Sequence, residues 1–243
     1  MKIYAKTDKG LVRETNQDTY SYGSFENGIF ALVCDGMGGA AGGEIASSIA
    51  AKELNSRLSI IRPQMTVLSI KRIIDCAVDG ANNAILAKAE EQSSLEGMGT
   101  TAVIAVVLNN RFCLSNIGDS RAYLIENGRA TQLTKDHSFV QELVDMGDIT
   151  QEQAKSHPYK NVITRALGSE EAQSADFSVY DKTENSILLL CSDGLTNYVS
   201  DEDIAFICSN NDCETAVQKL IDTANANGGG DNITVVLVEM SEE

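Results

Sequence analysis

The sequence predicts an α+β fold in which antiparallel sheets are covered by helices. Four near-continuous apolar runs of strand length, residues 29–34, 102–108, 187–191 and 233–238, are bounded by turn residues. Two long stretches of helical periodicity stand between the first two runs. Consecutive strands elsewhere are joined by tight turns, which favours antiparallel sheets over an alternating βαβ chain.

In chain order, mixed strands at 2–6 and 19–25 precede the first apolar run. Ala46, Ile49, Ala50, Leu54, Leu58 and Ile61 then recur at helical spacing, as do Val67, Ile70, Ile74, Ala77, Ala81 and Ile85, with Pro63 separating the two helices. Strands at 102–108, 111–117 and 121–125 follow, with Asn109-Asn110 and Glu126-Asn127-Gly128 as hairpin turns. A polar insert at about 138–165 carries one short amphipathic piece (Phe139, Leu143, Met146) and reads as a surface flap. After strands at 175–180 and 187–191, helices at 201–208 and 213–226 follow, the second with Val217, Leu220, Ile221 and Ala224 on one face. Gly228-Gly229-Gly230 ends it before the last strand. With no repeat, low-complexity tract or linker, residues 1–243 read as one domain.

At 43% hydrophobic and 22% charged, the 243 residues can bury a full core. A net charge of −16 argues against a nucleic-acid partner, because such binding relies on Lys and Arg to displace counterions. No apolar run reaches the roughly 18 residues that span a bilayer, and the first residues form no apolar signal region, so no membrane insertion and a cytoplasmic home are expected. The six cysteines form no CxxC pair, which disfavours zinc and disulfides. With two histidines only, the chemistry must lean on oxygen.

Asp and Gly are poor strand residues, yet the most apolar strands run straight into them, as Val33-Cys34-Asp35-Gly36 and Leu190-Cys191-Ser192-Asp193-Gly194, and a third strand begins after Gly230-Asp231-Asn232. Any one of these reads as a turn or cap. Together with Asp18 in Arg13-Glu14-Thr15-Asn16-Gln17-Asp18, and Asp119 in Gly118-Asp119-Ser120-Arg121, they read as a set. Carboxylates sharing one cleft repel and take up protons unless cations neutralise them, and hard oxygen donors select magnesium or manganese.

These segments, in this order, resemble the metal-dependent protein phosphatases once called type 2C, in their compact bacterial form. The resemblance covers nearly the whole chain. It rests also on Asp35-Gly36-Met37-Gly38-Gly39, Gly97-Met98-Gly99-Thr100-Thr101-Ala102, Leu133-Thr134-Lys135-Asp136-His137-Ser138 and Ile163-Thr164-Arg165-Ala166-Leu167-Gly168. It implies a four-layer αββα sandwich, two antiparallel sheets flanked by helix pairs. It further implies a protein serine/threonine phosphatase using two Mn2+ or Mg2+ ions, or three. Carried over, Asp35 would bridge two ions, the Gly36 carbonyl would join one of them, and Asp193 and Asp231 would hold the other. Asp18 would contact water on the ions, Asp119 would help bind the third, and Arg13 would clamp the phosphoryl group, its guanidinium offering fixed paired donors. The implied partners are phosphorylated proteins, a bacterial serine/threonine kinase among them, and a monomer is expected.

Two departures stand out. Met37 and Ala40 occupy places where relatives often carry a leaving-group histidine, and Gln17 stands where many have Glu. Among competing readings, Gly36-Met37-Gly38-Gly39-Ala40-Ala41 loosely fits a dinucleotide loop, but Asp35 would face a pyrophosphate and a second helix follows where a parallel strand is needed. No cysteine has an arginine six positions on, and no Walker A loop occurs. A non-catalytic module on the same fold remains the alternative from another class.

Overall fold

The computed structural model describes residues 1–170 and 174–240. Strands β1 (Lys2–Asp8), β2 (Asp18–Phe25) and β3 (Gly28–Met37) lead into helices α1 (Gly39–Leu58) and α2 (Val67–Glu91). Strands β4 (Gly99–Thr100), β5 (Ala102–Leu108), β6 (Arg111–Ile117), β7 (Arg121–Glu126) and β8 (Arg129–Gln132) follow, then the short helices α3 (Phe139–Met146) and α4 (Gln151–Lys155). Strands β9 (Asp176–Asp181) and β10 (Ile187–Cys191), helices α5 (Asp193–Thr196), α6 (Asp201–Ser209) and α7 (Cys213–Ala226), and strand β11 (Ile233–Glu239) complete the order.

One sheet runs β1-β11-β10-β7-β8 and the other β2-β3-β5-β6-β9, with β4 paired to β3. Neighbouring strands are antiparallel. Strand alternation decides what fills each layer. Ile29, Ala31 and Val33 of β3 meet Leu188, Leu190, Val236 and Val238 between the two sheets. Phe30, Leu32 and Cys34 point the other way, onto Ala46, Leu54, Ile70 and Ile74 of α1 and α2. On the opposite flank, Leu189, Cys191, Val235 and Leu237 pack on Ile204, Val217 and Leu220 of α6 and α7. The result is the four-layer αββα sandwich. Its inner strands are buried on both faces, so they read as unbroken apolar runs, each full-sized side chain contributing roughly 1.5–3 kcal/mol.

The structure departs from the expected elements in several places, adding the short β4, α4 and α5 and extending β1 to Asp8. β3 continues past its apolar run through Asp35 and Gly36 to Met37, because Asp18 pairs with Asp35, and Thr100 and Gly99 pair with Gly36 and Met37. The strand expected at 175–180 lies one residue later, and β8 is a short, partly exposed strand with no apolar run to announce it.

The insert at 138–165 is a loop on a closed neck. Phe139 N–H donates to the Val162 carbonyl (2.8 Å) and Thr164 N–H to that of His137 (2.8 Å). Ser138 caps α3, and Thr150 with Gln153 forms a capping box on α4. A cleft of about 800 Å³ separates the insert (Val140, Gln141, Ala154, Lys160) from the start of α6, and Asp119 and Asp193 belong to its walls. Among the described residues no helix is long and apolar enough to cross a membrane.

Candidate metal centre

Antiparallel pairing brings the end of β3 beside the starts of β2 and β5, and the end of β10 beside the starts of β7 and β11. The predicted carboxylates gather at that end of the sandwich. Asp35 lies in β3 opposite Asp18 of β2. Asp119 occupies the turn between β6 and β7, Asp193 opens α5 directly after β10, and Asp231 precedes β11. Gly36 is obligatory: a Cβ there would stand 2.1 Å from the Gly43 carbonyl oxygen and 2.6 Å from that of Gln17.

Asp18 is buried, and its Oδ2 accepts from the hydroxyls of Ser192 and Thr234, both at 2.7 Å. Its Oδ1 is buried with no partner. Burial first, then the charges of Asp193 and Asp231, push its carboxyl up to about 7 despite those hydroxyls. The backbone of Asp35 is pinned, its N–H donating to Thr101 Oγ1 (3.0 Å) and its carbonyl accepting from Thr100 Oγ1 (2.8 Å). Burial, then Asp18, Asp193, Asp119 and Asp231, hold its carboxyl well above the usual range. Burial and Asp193 raise Asp119 to about 8, and burial and Asp231 raise Asp193 to about 6. Asp231 accepts from Arg13 Nη2 at 2.8 Å and from the Asn232 N–H at 2.8 Å. That bond is the main reason the Arg13 guanidinium is raised further.

Such an assembly of buried and partly buried carboxylates suits divalent cations. An orphaned buried carboxylate oxygen is costly unless water or an ion meets it, and every donor here is a hard oxygen. Burial pushes the thiol of Cys191 up to about 12 and that of Cys34 further, so neither neighbour is a thiolate ligand. Among the described residues no three His, Cys, Asp or Glu side chains already close round one point. Asp231 is drawn to Arg13, and Asp193 Oδ2 accepts from the Asn197 amide at 2.9 Å. Closure on an ion therefore means exchanging these hydrogen bonds for coordination.

The sequence profile of the family described as Protein phosphatase 2C matches residues 12–237. The chain belongs to the protein phosphatase 2C family. The serine/threonine phosphatase stp of Listeria welshimeri is 39% identical over 238 residues, covering 96% of this chain and 94% of that protein. The crystal structure of the Mycobacterium tuberculosis serine/threonine phosphatase PstP/Ppp has a TM-score of 0.91 at 39% identity, over 99% of both chains. The PstP catalytic domain in complex with two manganese ions has a TM-score of 0.87 at 39% identity, over 98% of this chain and 97% of that one. This chain is therefore a phosphatase of the serine/threonine class.

Within this phosphatase 2C site, several supporting residues carry no role in the sequence reading. Ser192 and Thr234 orient Asp18. Asn232 ties the N-terminal loop to the site, accepting from Gln17 N–H (2.9 Å) and donating to the carbonyls of Lys9 and Thr15 (2.9 Å each). Ser192 and Asn232 lie in motifs already singled out, whereas Thr234 is announced only as the one polar residue in an apolar run. Gln17 donates through Nε2 to the Gly39 carbonyl at 2.8 Å, a bond that an ionised Glu could not make. Met37 lies over Gly99. His137 is a buried structural histidine: its Nδ1 accepts from Gly118 N–H (3.2 Å), so the proton sits on Nε2, which faces Asp176 at 3.3 Å.

Proposed function

We propose that the chain hydrolyses phosphoserine and phosphothreonine in proteins at a centre of two Mn2+ or Mg2+ ions, with Asp119 contributing to a third. The observation that carries this reading is the convergence of five aspartates and Arg13 at one end of the sandwich, where burial and neighbouring carboxylates raise Asp18, Asp35, Asp119 and Asp193 above the usual carboxylate range. Asp35 would bridge the two ions, the Gly36 carbonyl would complete one, and Asp193 and Asp231 the other. When bound, the ions supply an activated water and stabilise charge developing at phosphorus. The manganese held by the related PstP domain supports this assignment.

The chain's own residues have separable tasks. Arg13, with a half-exposed side chain, swings from Asp231 to orient the phosphoryl oxygens through its paired N–H groups. Asp18, locked by Ser192 and Thr234, keeps Oδ1 free to accept a hydrogen bond from the attacking water. His137 does not protonate the leaving group, since both ring nitrogens are engaged in a buried site and burial lowers its basicity. With Met37 where relatives often carry a histidine, that proton would come from water or from another side chain. The cleft beside the insert, lined by Gln132, Gln141, Asn197 and Ser200, would seat the polypeptide around the phosphorylated residue. We further place residues 1–243 as one cytoplasmic, monomeric catalytic domain opposing a bacterial serine/threonine kinase; six cysteines without a disulfide accord with that compartment.

The test is phosphate release from a phosphothreonine peptide by metal-stripped protein on adding Mn2+ or Mg2+, beside Asp193→Ala. Release that requires metal and falls at least about a hundredfold in the variant is expected, since an ion's charge stabilisation is worth several kcal/mol. Metal-induced stabilisation without release from the unaltered protein would instead favour a non-catalytic module.

A further inference from the structure

The turn that carries Asp119 is gripped from two sides by one short stretch, residues 134–137. On one side Gly118 N–H donates to His137 Nδ1 (3.2 Å), and the Gly118 carbonyl accepts from the His137 backbone N–H (2.9 Å). On the other, Arg121 binds the Asp136 carboxylate through Nε (2.9 and 3.1 Å) and Nη2 (2.7 Å), and Ala122 N–H donates to Thr134 Oγ1 (3.0 Å). Gln132 adds a bond to Asp136 at 3.1 Å. The turn has no slack of its own: Gly118 holds φ +102, and a Cβ there would meet Thr101 Cγ2 at 2.5 Å. Ser120 Oγ lies 2.7 Å from Thr101 Oγ1, the same hydroxyl that accepts from Asp35 N–H. None of His137, Asp136 or Arg121 has a part in the phosphoryl chemistry described above. His137 is buried and the Arg121–Asp136 pair partly so, and a satisfied polar network of this kind rigidifies the segment it bonds.

We propose that His137 and Asp136 are positioning residues for Asp119, holding its carboxylate at the centre against repulsion from Asp193. They stand at the neck of the insert, where the His137 carbonyl also accepts from Thr164 N–H, so the base of the insert and the Asp119 turn form one block. The inference rests on the reading of Asp119 as a ligand of a third ion.

It is tested by calorimetric Mn2+ titration of metal-stripped wild type, His137→Ala and His137→Asn. An Asn carboxamide oxygen falls near the position of Nδ1 and keeps the acceptor for Gly118 N–H; Ala removes it. The wild type is expected to take three ions, the weakest lost in Asp119→Ala. His137→Ala weakens that ion about tenfold, the scale of one buried hydrogen bond, and leaves the two tighter ions within about twofold. His137→Asn restores most of the affinity, and amide hydrogen exchange at 118–121 is faster in the Ala variant than in the Asn variant. A His137→Ala protein with wild-type affinity for the weakest ion overturns the proposal. So does an Asn variant as weak as Ala, which would assign His137 to packing alone. A wild type that binds two ions and is indifferent to Asp119→Ala sinks the third-ion reading and this inference together, while the two-ion phosphatase reading stands or falls on phosphate release. If His137→Ala does not fold, Asp136→Ala, which removes both oxygens that Arg121 binds, enters the same titration and is held to the same tenfold weakening.

Discussion

The ion pair between Arg13 and Asp231, at 2.8 Å, sets two requirements against each other. The guanidinium occupies a carboxylate oxygen that an ion would use, yet it is also the group placed to bind phosphoryl oxygen. Arg13→Ala is therefore expected to bind Mn2+ at least as tightly as wild type in calorimetry, while kcat/KM on a phosphothreonine peptide falls about 10–100-fold, the worth of charge-assisted hydrogen bonds. Arg13→Lys should recover little, because an ammonium lacks the planar fork. An Arg13→Ala enzyme with unchanged kcat/KM would remove Arg13 from the phosphoryl site. Gly36 poses a purely steric demand. Its Cβ would meet two backbone carbonyls, which no rotamer change relieves, so Gly36→Ala should lose more than about 2 kcal/mol in denaturant unfolding. Gly128, at φ +74 with nothing within 4 Å of a Cβ, is the control: Gly128→Ala costs about 1–2 kcal/mol from backbone strain alone.

At the scale of elements, what the sequence made legible follows the physics of burial. β3, β5, β10 and β11 are covered on both faces, so their apolar runs announce them, and α1, α2 and α7 show their helical stripe. β4, β8 and the last residues of β3 exist through pairing with neighbours, which leaves no local pattern to read. The same divide runs through the site. The aspartates stand out as Asp-Gly and Gly-Asp interruptions at strand ends, whereas the Ser192–Asp18–Thr234 bridge joins residues 174 and 216 positions apart and has no local mark. The neck of the insert offers a test at this scale. His137 is surrounded by Asp176, Arg165 and Asp136, and burial outweighs the two carboxylates, lowering its pKa from 6.5. A histidine kept neutral in the fold protonates more readily when unfolded, so its contribution is full above pH 6.5 and is lost as pH falls below that value. The pH dependence of urea unfolding should thus lose a component between wild type and His137→Asn below pH 6.5. A wild type and variant with parallel profiles there would show that His137 does not titrate with folding.

For the molecule as a whole, the site is a store of unfavourable energy that cations release. The fold gathers buried and partly buried, mutually repelling carboxylates at one end of a chain whose net charge is already −16. Stability is given up there for function, as is common where a site must hold charge. Divalent ions bind the folded chain and not the unfolded one, so at a hundredfold excess over Kd each adds about 2.7 kcal/mol. For a chain of this size, that is about 5–10 °C in Tm per ion. Removing one repelling partner should act in the opposite order. Metal-free Asp193→Ala is expected to melt at or above the metal-free wild type near pH 8, where the wild-type carboxylates are most ionised, and to gain little when Mn2+ is added. Calorimetric melts of both proteins, with chelator and with Mn2+, separate the two effects. If Asp193→Ala instead melts lower without metal and gains as much from Mn2+ as wild type does, Asp193 serves α5 through its bond to Asn197 and the cation centre must be sought among the other carboxylates.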